Sequence, residues 1–344
     1  MDLIQNSISL LGGHVRVDQS FIDGQIYFRK GDVAIAAGTL IEGIGNKFSD
    51  LDMYVFTEER RSCEEIAYRQ HHRVLSVDRD ILSETSRGKQ VFLIHTVVPN
   101  SGVKIDVEFD TFAEVEALFD QVKSIYDYAC NNLVLLTKVL TVRQQNLIHR
   151  LFNCLVLRNE PRFHELLGGI SRWQYCYVAY RWFASDFSVL LDLMGAWDKQ
   201  EIDRSVDLAR ENLIQQMSAY LHLVGSTNLR RKWLLTYLHQ LPVPDAIRFR
   251  FLNLFYMTGV TDRRSKEQFV FSTLDLIDEI QEASREKLLD NAYFPSGRAA
   301  LDTLHANCFG SAATSDYAET EYRYRSRVYE EGVRPTRLLL TDGI

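Results

Sequence analysis

The sequence predicts an α+β fold: a small mixed β-sheet in the N-terminal third, followed by a helical bundle. Up to about residue 112, short β-rich runs alternate with turn signals. From there to Leu241 only one proline, Pro161, interrupts the chain, and leucines recur at helical spacing. Hydrophobic residues make up 46% of the 344 and charged residues 25%, which supplies a core and argues against disorder. The length suits two domains. The change of texture divides the chain into residues 1–112, a helical domain over 113–290, and an extension over 291–344 with no assigned structure.

Within the first part, residues 33–37 form an apolar run that ends at Gly38 and reads as a buried strand. Residues 51–56 read as a second strand, with Met53 and Val55 apolar. Residues 58–65 are charged and are expected to be solvated helix or loop. Residues 91–98 and 103–109 are two further β-rich runs. Pro99-Asn100-Ser101-Gly102 lies between them as a turn, so the two should pair as a hairpin. In the helical part, Leu133, Leu136, Val139 and Leu140 share a face at helical spacing, as do Leu147, Leu151 and Leu155. Pro242 and Pro244 break the run, and further helices are expected over 245–257 and 265–289. Pro295-Ser296-Gly297 is a turn, and the Tyr- and Arg-rich stretch 317–329 receives no assignment.

Bulk properties exclude several classes. A net charge of -7 argues against a protein that grips extended nucleic acid. Five cysteines (Cys63, Cys130, Cys154, Cys176, Cys308) lie far apart without a CxxC pair, which fits packed, reduced thiols rather than a disulfide frame or zinc site. No stretch approaches the roughly 20 apolar residues that span a bilayer. Met1-Asp2-Leu3 lacks the basic and apolar regions of a signal peptide. The expectation is a cytoplasmic protein with no membrane association.

The chemistry concentrates between Gly38 and Phe56. A glycine at a strand end lets the backbone turn tightly and approach a ligand. Thr39 adds a hydroxyl and an amide at the start of a short helix, where unpaired N–H groups attract phosphate oxygens. Asp50 and Asp52 stand two apart at the start of the next strand, so period two puts both carboxylates on one face. Hard oxygen ligands of this kind suit Mg²⁺ together with substrate phosphates, and two such ions would activate an attacking oxygen and stabilise a leaving pyrophosphate. In residues 104–110, Asp106, Glu108 and Asp110 alternate with Ile105, Val107 and Phe109. That is a third acidic strand with one apolar face.

Gly38-Thr39, Ser49-Asp50-Leu51-Asp52 and the acidic strand at Asp106 together resemble the nucleotidyltransferase superfamily that shares its catalytic fold with DNA polymerase β. That family carries a Gly-Ser/Thr turn, an Asp-x-Asp/Glu pair about a dozen residues on, and a third acidic strand. Gly43 falls where many members have a second glycine, and Thr39 replaces the commoner serine while keeping the hydroxyl. The stretch 103–110 is most similar to the kanamycin nucleotidyltransferase branch. By that likeness Lys104 would touch the triphosphate and Asp106 would point at the metal. The resemblance covers about residues 30–112 and speaks to the rest only through a helical C-terminal half.

The resemblance implies a nucleoside triphosphate (NTP) substrate, one or two Mg²⁺ ions, and transfer of a nucleoside monophosphate to a hydroxyl with release of pyrophosphate. Asp50, Asp52 and Asp106 would bind metal and act in catalysis, and Gly38, Thr39, Ser49 and Lys104 would bind the nucleotide. Glu108 is the rival of Asp106 for the third position. The nucleotide is expected in a cleft between the two domains. The acceptor is expected to be a small molecule. The alternatives are a nucleotide or RNA acceptor, as in cyclic-dinucleotide synthases or tRNA-modifying relatives, and an inactive nucleotide-binding module. A homodimer is compatible with the resemblance.

Other clusters read more blandly. His71-His72 has no further ligands at metal spacing. Gly12-Gly13-His14 reads as a turn. Arg230-Arg231-Lys232 reads as solvated charge, with phosphate binding as the alternative. Trp173, Tyr175, Tyr177, Tyr180 and Trp182 read as core or domain interface, with a stacking wall as the alternative. Glu114, Glu116 and Asp120 fit a helix start. For 317–329 a docked or frayed tail is preferred to a nucleic-acid-contacting arm.

Overall fold

The apolar runs of the first third pair into one mixed sheet. A computed structural model of the protein describes residues 3–4, 7–13, 15–99, 101–310 and 315–341; Asn100 of the expected turn and His14 lie outside them. Three short strands, β1 (Leu3–Ile4), β2 (Ser7–Leu10) and β3 (Val15–Asp18), form an antiparallel sheet ahead of helix α1 (Gln19–Ile26). The principal sheet contains β4 (Val33–Ala37), β5 (Leu51–Thr57), β6 (Arg73–Ser76), β7 (Val91–Val97), β8 (Lys104–Thr111) and β9 (Leu155–Arg158), in the order β6-β7-β8-β5-β4-β9. Only β5 and β8 run parallel; the expected hairpin is the antiparallel pair β7–β8.

Alternation along β5 and β8 sorts their side chains. Leu51, Met53, Val55, Ile105, Val107 and Phe109 enter one hydrophobic core with Ala34 and Ala36 of β4 and Ile22 and Ile26 of α1. The opposite face of the same strands carries the acids.

The helices are α2 (Phe112–Asn131), α3 (Val142–Phe152), α4 (Glu160–Leu167), α5 (Arg172–Ala184), α6 (Ser188–Asp198), α7 (Ile202–Leu223), α8 (Leu234–Gln240), α9 (Asp245–Tyr256), α10 (Arg263–Asp290), α11 (Gly297–Phe309) and α12 (Asp316–Ser326). The chain forms two compact units, residues 1–121 with 142–170, and residues 122–141 with 171–344. The second unit is built around α7 and α10, whose Leu213, Met217, Tyr220, Leu274, Ile277 and Ile280 share a core with α6, α8 and α9. Pro242 and Pro244 separate α8 from α9 as expected, and the side chain of Asp262 caps α10 by accepting from Ser265 N at 3.0 Å. Among the described residues, no helix is long and apolar enough to cross a membrane.

Three local expectations are corrected, and one unassigned stretch gains a structure. Residues 132–141 are irregular rather than helical: Leu133, Leu136 and Leu140 are buried, but Val139 is 62% exposed. Buried Arg181 takes the carbonyls of Ala129, Asn132 and Val134, and Ser185 Oγ accepts from Leu136 N, so side chains replace the helical ladder. Leu155 does not continue α3. Asn153 Nδ2 closes the helix on His149 O at 2.7 Å, and residues 155–158 then supply the free edge of β4 with a partner. In the charged segment 58–65, Arg60 and Arg61 are buried. Arg61 pairs with Asp32 and donates to Tyr27 O at 2.8 Å, so its charge is compensated inside the fold. Most of the unassigned stretch 317–329 is helix, in α12, with Tyr324 and Arg325 buried.

Candidate active site

β4 ends at Gly38, whose φ of +88° belongs to the left-handed region that glycine adopts without strain. The chain then curls back: Gly38 O accepts from Ile41 N and Glu42 N at 3.0 and 3.1 Å, and Thr39 O accepts from Gly45 N at 2.8 Å. A Cβ at Gly38 would lie 2.3 Å from Asp52 Oδ2, so the turn rests directly against that carboxylate. Thr39 is partly exposed. Ser49 closes the loop before β5, where its Oγ accepts from Asn46 N at 3.0 Å. Its observed contact therefore holds the loop that presents Asp50.

Register aligns the acids. Asp52 lies opposite Ala37 on β4 and beside Asp106 on β8, and Asp106 lies opposite His95 on β7. The row Ala37–Asp52–Asp106–His95 thus crosses four strands on one face. The next row places Tyr54 beside Glu108, and the third places Phe56 beside Asp110. Asp50 stands one residue before β5. Lys104 is the exposed first residue of β8, two residues before Asp106, opposite Val97.

Helix α3 covers this face with cations. Arg143 and Arg150 are seven residues apart, which is two helical turns, and so share a side of the helix. Arg150 Nη2 lies 2.9 Å from Asp52 Oδ2, and its Nη1 donates to the Tyr54 hydroxyl. Arg143 donates to Glu108 Oε2 at 3.1 Å and to both Asp110 oxygens at 2.6 Å. His149 Nε2 meets Glu42 of the Gly38 turn at 3.0 Å. On β7, His95 Nδ1 is 2.5 Å from Asp106 Oδ1. Arg60 bridges Asp110 and Glu114, and Glu114 also accepts from Thr111 N at 2.7 Å at the start of α2.

Arg143, Arg150, His149 and His95 were not singled out from the sequence. The Arg143–Arg150 spacing was visible, but the leucines beside it read only as core. Glu108 is held by Arg143 and lies 3.4 Å from the Tyr54 hydroxyl, whereas Asp106 is held by His95. Tyr175, Tyr177 and Tyr180 are core residues of the second unit, and Trp173 is exposed. A cavity of about 170 Å³ in that unit, lined by Phe183, His222, Arg231 and Tyr237 among others, contains none of the carboxylates of the row.

Burial pushes the Asp52 carboxyl up to about 6; Arg150 works against this, and the neighbouring Asp106, Glu108 and Asp50 charges add to the rise. Burial likewise raises Glu108, against the pull of Arg143. Between the ordinary value of 3.8 and about 6, the folded chain keeps the Asp52 proton while the unfolded chain has released it. By linkage, this group's contribution to stability falls as pH rises through that window. Asp52→Asn is therefore expected to melt above the wild type at pH 7, with the gap closing by about pH 4. Melting curves followed by circular dichroism across that range provide the check, and a gap independent of pH would assign the titration elsewhere.

The donor chemistry here suits a hard divalent cation: carboxylates in surplus, pressed against a turn that admits no Cβ. Among the described residues, no three His, Cys, Asp or Glu side chains already converge as a ligand set, and one Asp52 oxygen is shared with Arg150. No protein-family model matches the chain, and no curated protein matches it.

Proposed function

We propose that the protein is a metal-dependent nucleotidyltransferase, with the sheet-bearing first unit as its catalytic domain and the helical unit following. The observation that carries this reading is the contact between the Gly38 turn and Asp52, with Asp52 in register with Asp106. Such a turn brings backbone amides and the Thr39 hydroxyl to phosphate oxygens beside a carboxylate pair.

In this reading the acceptor oxygen forms a bond to the α-phosphorus of an NTP, the α–β bridge breaks, and pyrophosphate leaves. Asp50, Asp52 and Asp106 would hold Mg²⁺, which would supply charge neutralisation and activation of the attacking hydroxyl. Gly38, Thr39 and the Ser49 loop orient the nucleotide, and Lys104 offsets phosphate charge. Asp106, which has His95 against it, would take the acceptor proton if it does not ligate metal. The net charge of -7 favours a small-molecule acceptor over RNA.

Incubation with each α-labelled NTP and Mg²⁺, with and without cell extract, tests the reading by where the label goes. A triphosphate with Mg²⁺ should also stabilise the chain, by about 2.7 kcal/mol at a hundredfold excess over Kd, and chelation should remove most of the effect. No melting shift with any of the four common triphosphates well above their working concentrations would count against transferase activity. Individual roles separate kinetically. Lys104→Ala should raise KM for the triphosphate with kcat little changed, and Asp106→Asn should lower kcat by roughly a hundredfold. If Glu108→Gln lost turnover while Asp106→Asn kept it, the third carboxylate would be Glu108.

A further inference from the structure

We propose that Arg150 is a built-in competitor for the metal site: it holds Asp52 until a metal–nucleotide complex arrives, then transfers its guanidinium to the triphosphate. Metal and nucleotide would therefore load together, and the metal alone poorly. The proposal rests on the nucleotidyltransferase reading for the nature of the incoming ligand.

Three features of the geometry support it. The Asp52 oxygen that Arg150 takes, Oδ2 at 2.9 Å, is the same oxygen that faces the Gly38 turn. A cation bound there would compete for the same lone pairs and repel the guanidinium. The Arg150 side chain is 21% exposed, and its second nitrogen is anchored on the buried Tyr54 hydroxyl, so it can swing from Asp52 without leaving the site. A guanidinium also binds phosphate through two parallel N–H donors, which makes the triphosphate tail a natural second partner.

Arg143, two turns earlier on α3, is the internal contrast. It grips the fully buried Asp110 as well as Glu108, so it fixes the helix while Arg150 exchanges. His149 tethers the other end of the helix to Glu42 in the turn. The moving part is thus one side chain on an otherwise pinned helix.

The test is Mn²⁺ binding to the full chain, followed by electron paramagnetic resonance without nucleotide, for wild type, Arg150→Gln and Arg150→Lys. Removing the competitor should tighten Mn²⁺ binding at least about tenfold in Arg150→Gln, with Arg150→Lys between the two because it keeps the charge but loses the fork. Asp52→Asn placed on top of Arg150→Gln should abolish the gain. In parallel, KM for the Mg²⁺–triphosphate should rise about tenfold in Arg150→Gln, and the enhancement of metal affinity by nucleotide should shrink. A melting curve confirms that each variant is folded. Unchanged or weaker Mn²⁺ binding in folded Arg150→Gln overturns the proposal, even if the chain turns over nucleotides. Tighter, Asp52-dependent Mn²⁺ binding without any nucleotide turnover supports Arg150 as the competitor and instead removes the transferase reading.

Discussion

Asp50→Asn and Asp52→Asn should each lower turnover at least about a thousandfold, a loss of about 4 kcal/mol in transition-state stabilisation. Both acids lie at the entry to β5, Asp52 against the Gly38 turn, and a metal held there would neutralise charge that develops only as the α–β bond breaks. An amide keeps the shape of the carboxylate and removes the charge, so substrate positioning survives while the electrostatic contribution is lost. The fold should also survive. Burial, with the neighbouring carboxylates adding to it, already holds the Asp52 pKa up at about 6, and its Arg150 partner can still donate to an amide oxygen. Single-turnover rates with the preferred α-labelled triphosphate measure the effect. Near-normal rates in either folded variant would remove the metal assignment.

Gly38→Ala should be nearly as damaging, for a different reason. At a φ of +88° a Cβ costs about 1–2 kcal/mol, which should lower the melting temperature by several degrees. In addition, that Cβ would meet Asp52 Oδ2 at 2.3 Å, so the carboxylate or the turn must move. A shift of about 1 Å at reacting groups is expected to cost on the order of a hundredfold in rate. Gly43 provides the control. Its φ is +74°, but nothing lies within 4 Å of where its Cβ would be, so Gly43→Ala imposes the strain without the clash. Gly38→Ala should therefore lose far more turnover than Gly43→Ala. Equal losses would show that the contact with Asp52 is not what matters.

Much of the first unit could be read locally. The runs at 33–37, 51–56, 91–98 and 103–109 became strands within one or two residues of their expected ends, because apolar alternation bounded by glycine and proline is a short-range signal. The strands β6 and β9 escaped notice. Each has only four residues, and each is defined by the neighbour it pairs with more than by its own pattern. The stretch 132–141 misled for the converse reason: Leu133, Leu136 and Leu140 are buried at helical spacing, but Arg181 and Ser185 from elsewhere satisfy its backbone. Arg60 and Arg61 looked like solvated charge because their partners, Asp110 and Asp32, lie far from them in sequence.

By itself the sequence determined which residues of a strand share a face, since side-chain direction alternates with a period of two whatever surrounds the strand. That sufficed to set Asp106, Glu108 and Asp110 against an apolar back face, and to place a glycine turn a dozen residues before an acid pair. Only the tertiary structure decided that β8 lies parallel beside β5, which turns two separate acidic strands into the row Asp52–Asp106. It also decided that α3 brings Arg143 and Arg150 onto those acids. Strand order and helix docking are settled by burial of whole faces against one another, and ion pairs between distant segments follow from that docking, so no local pattern in the chain encodes them.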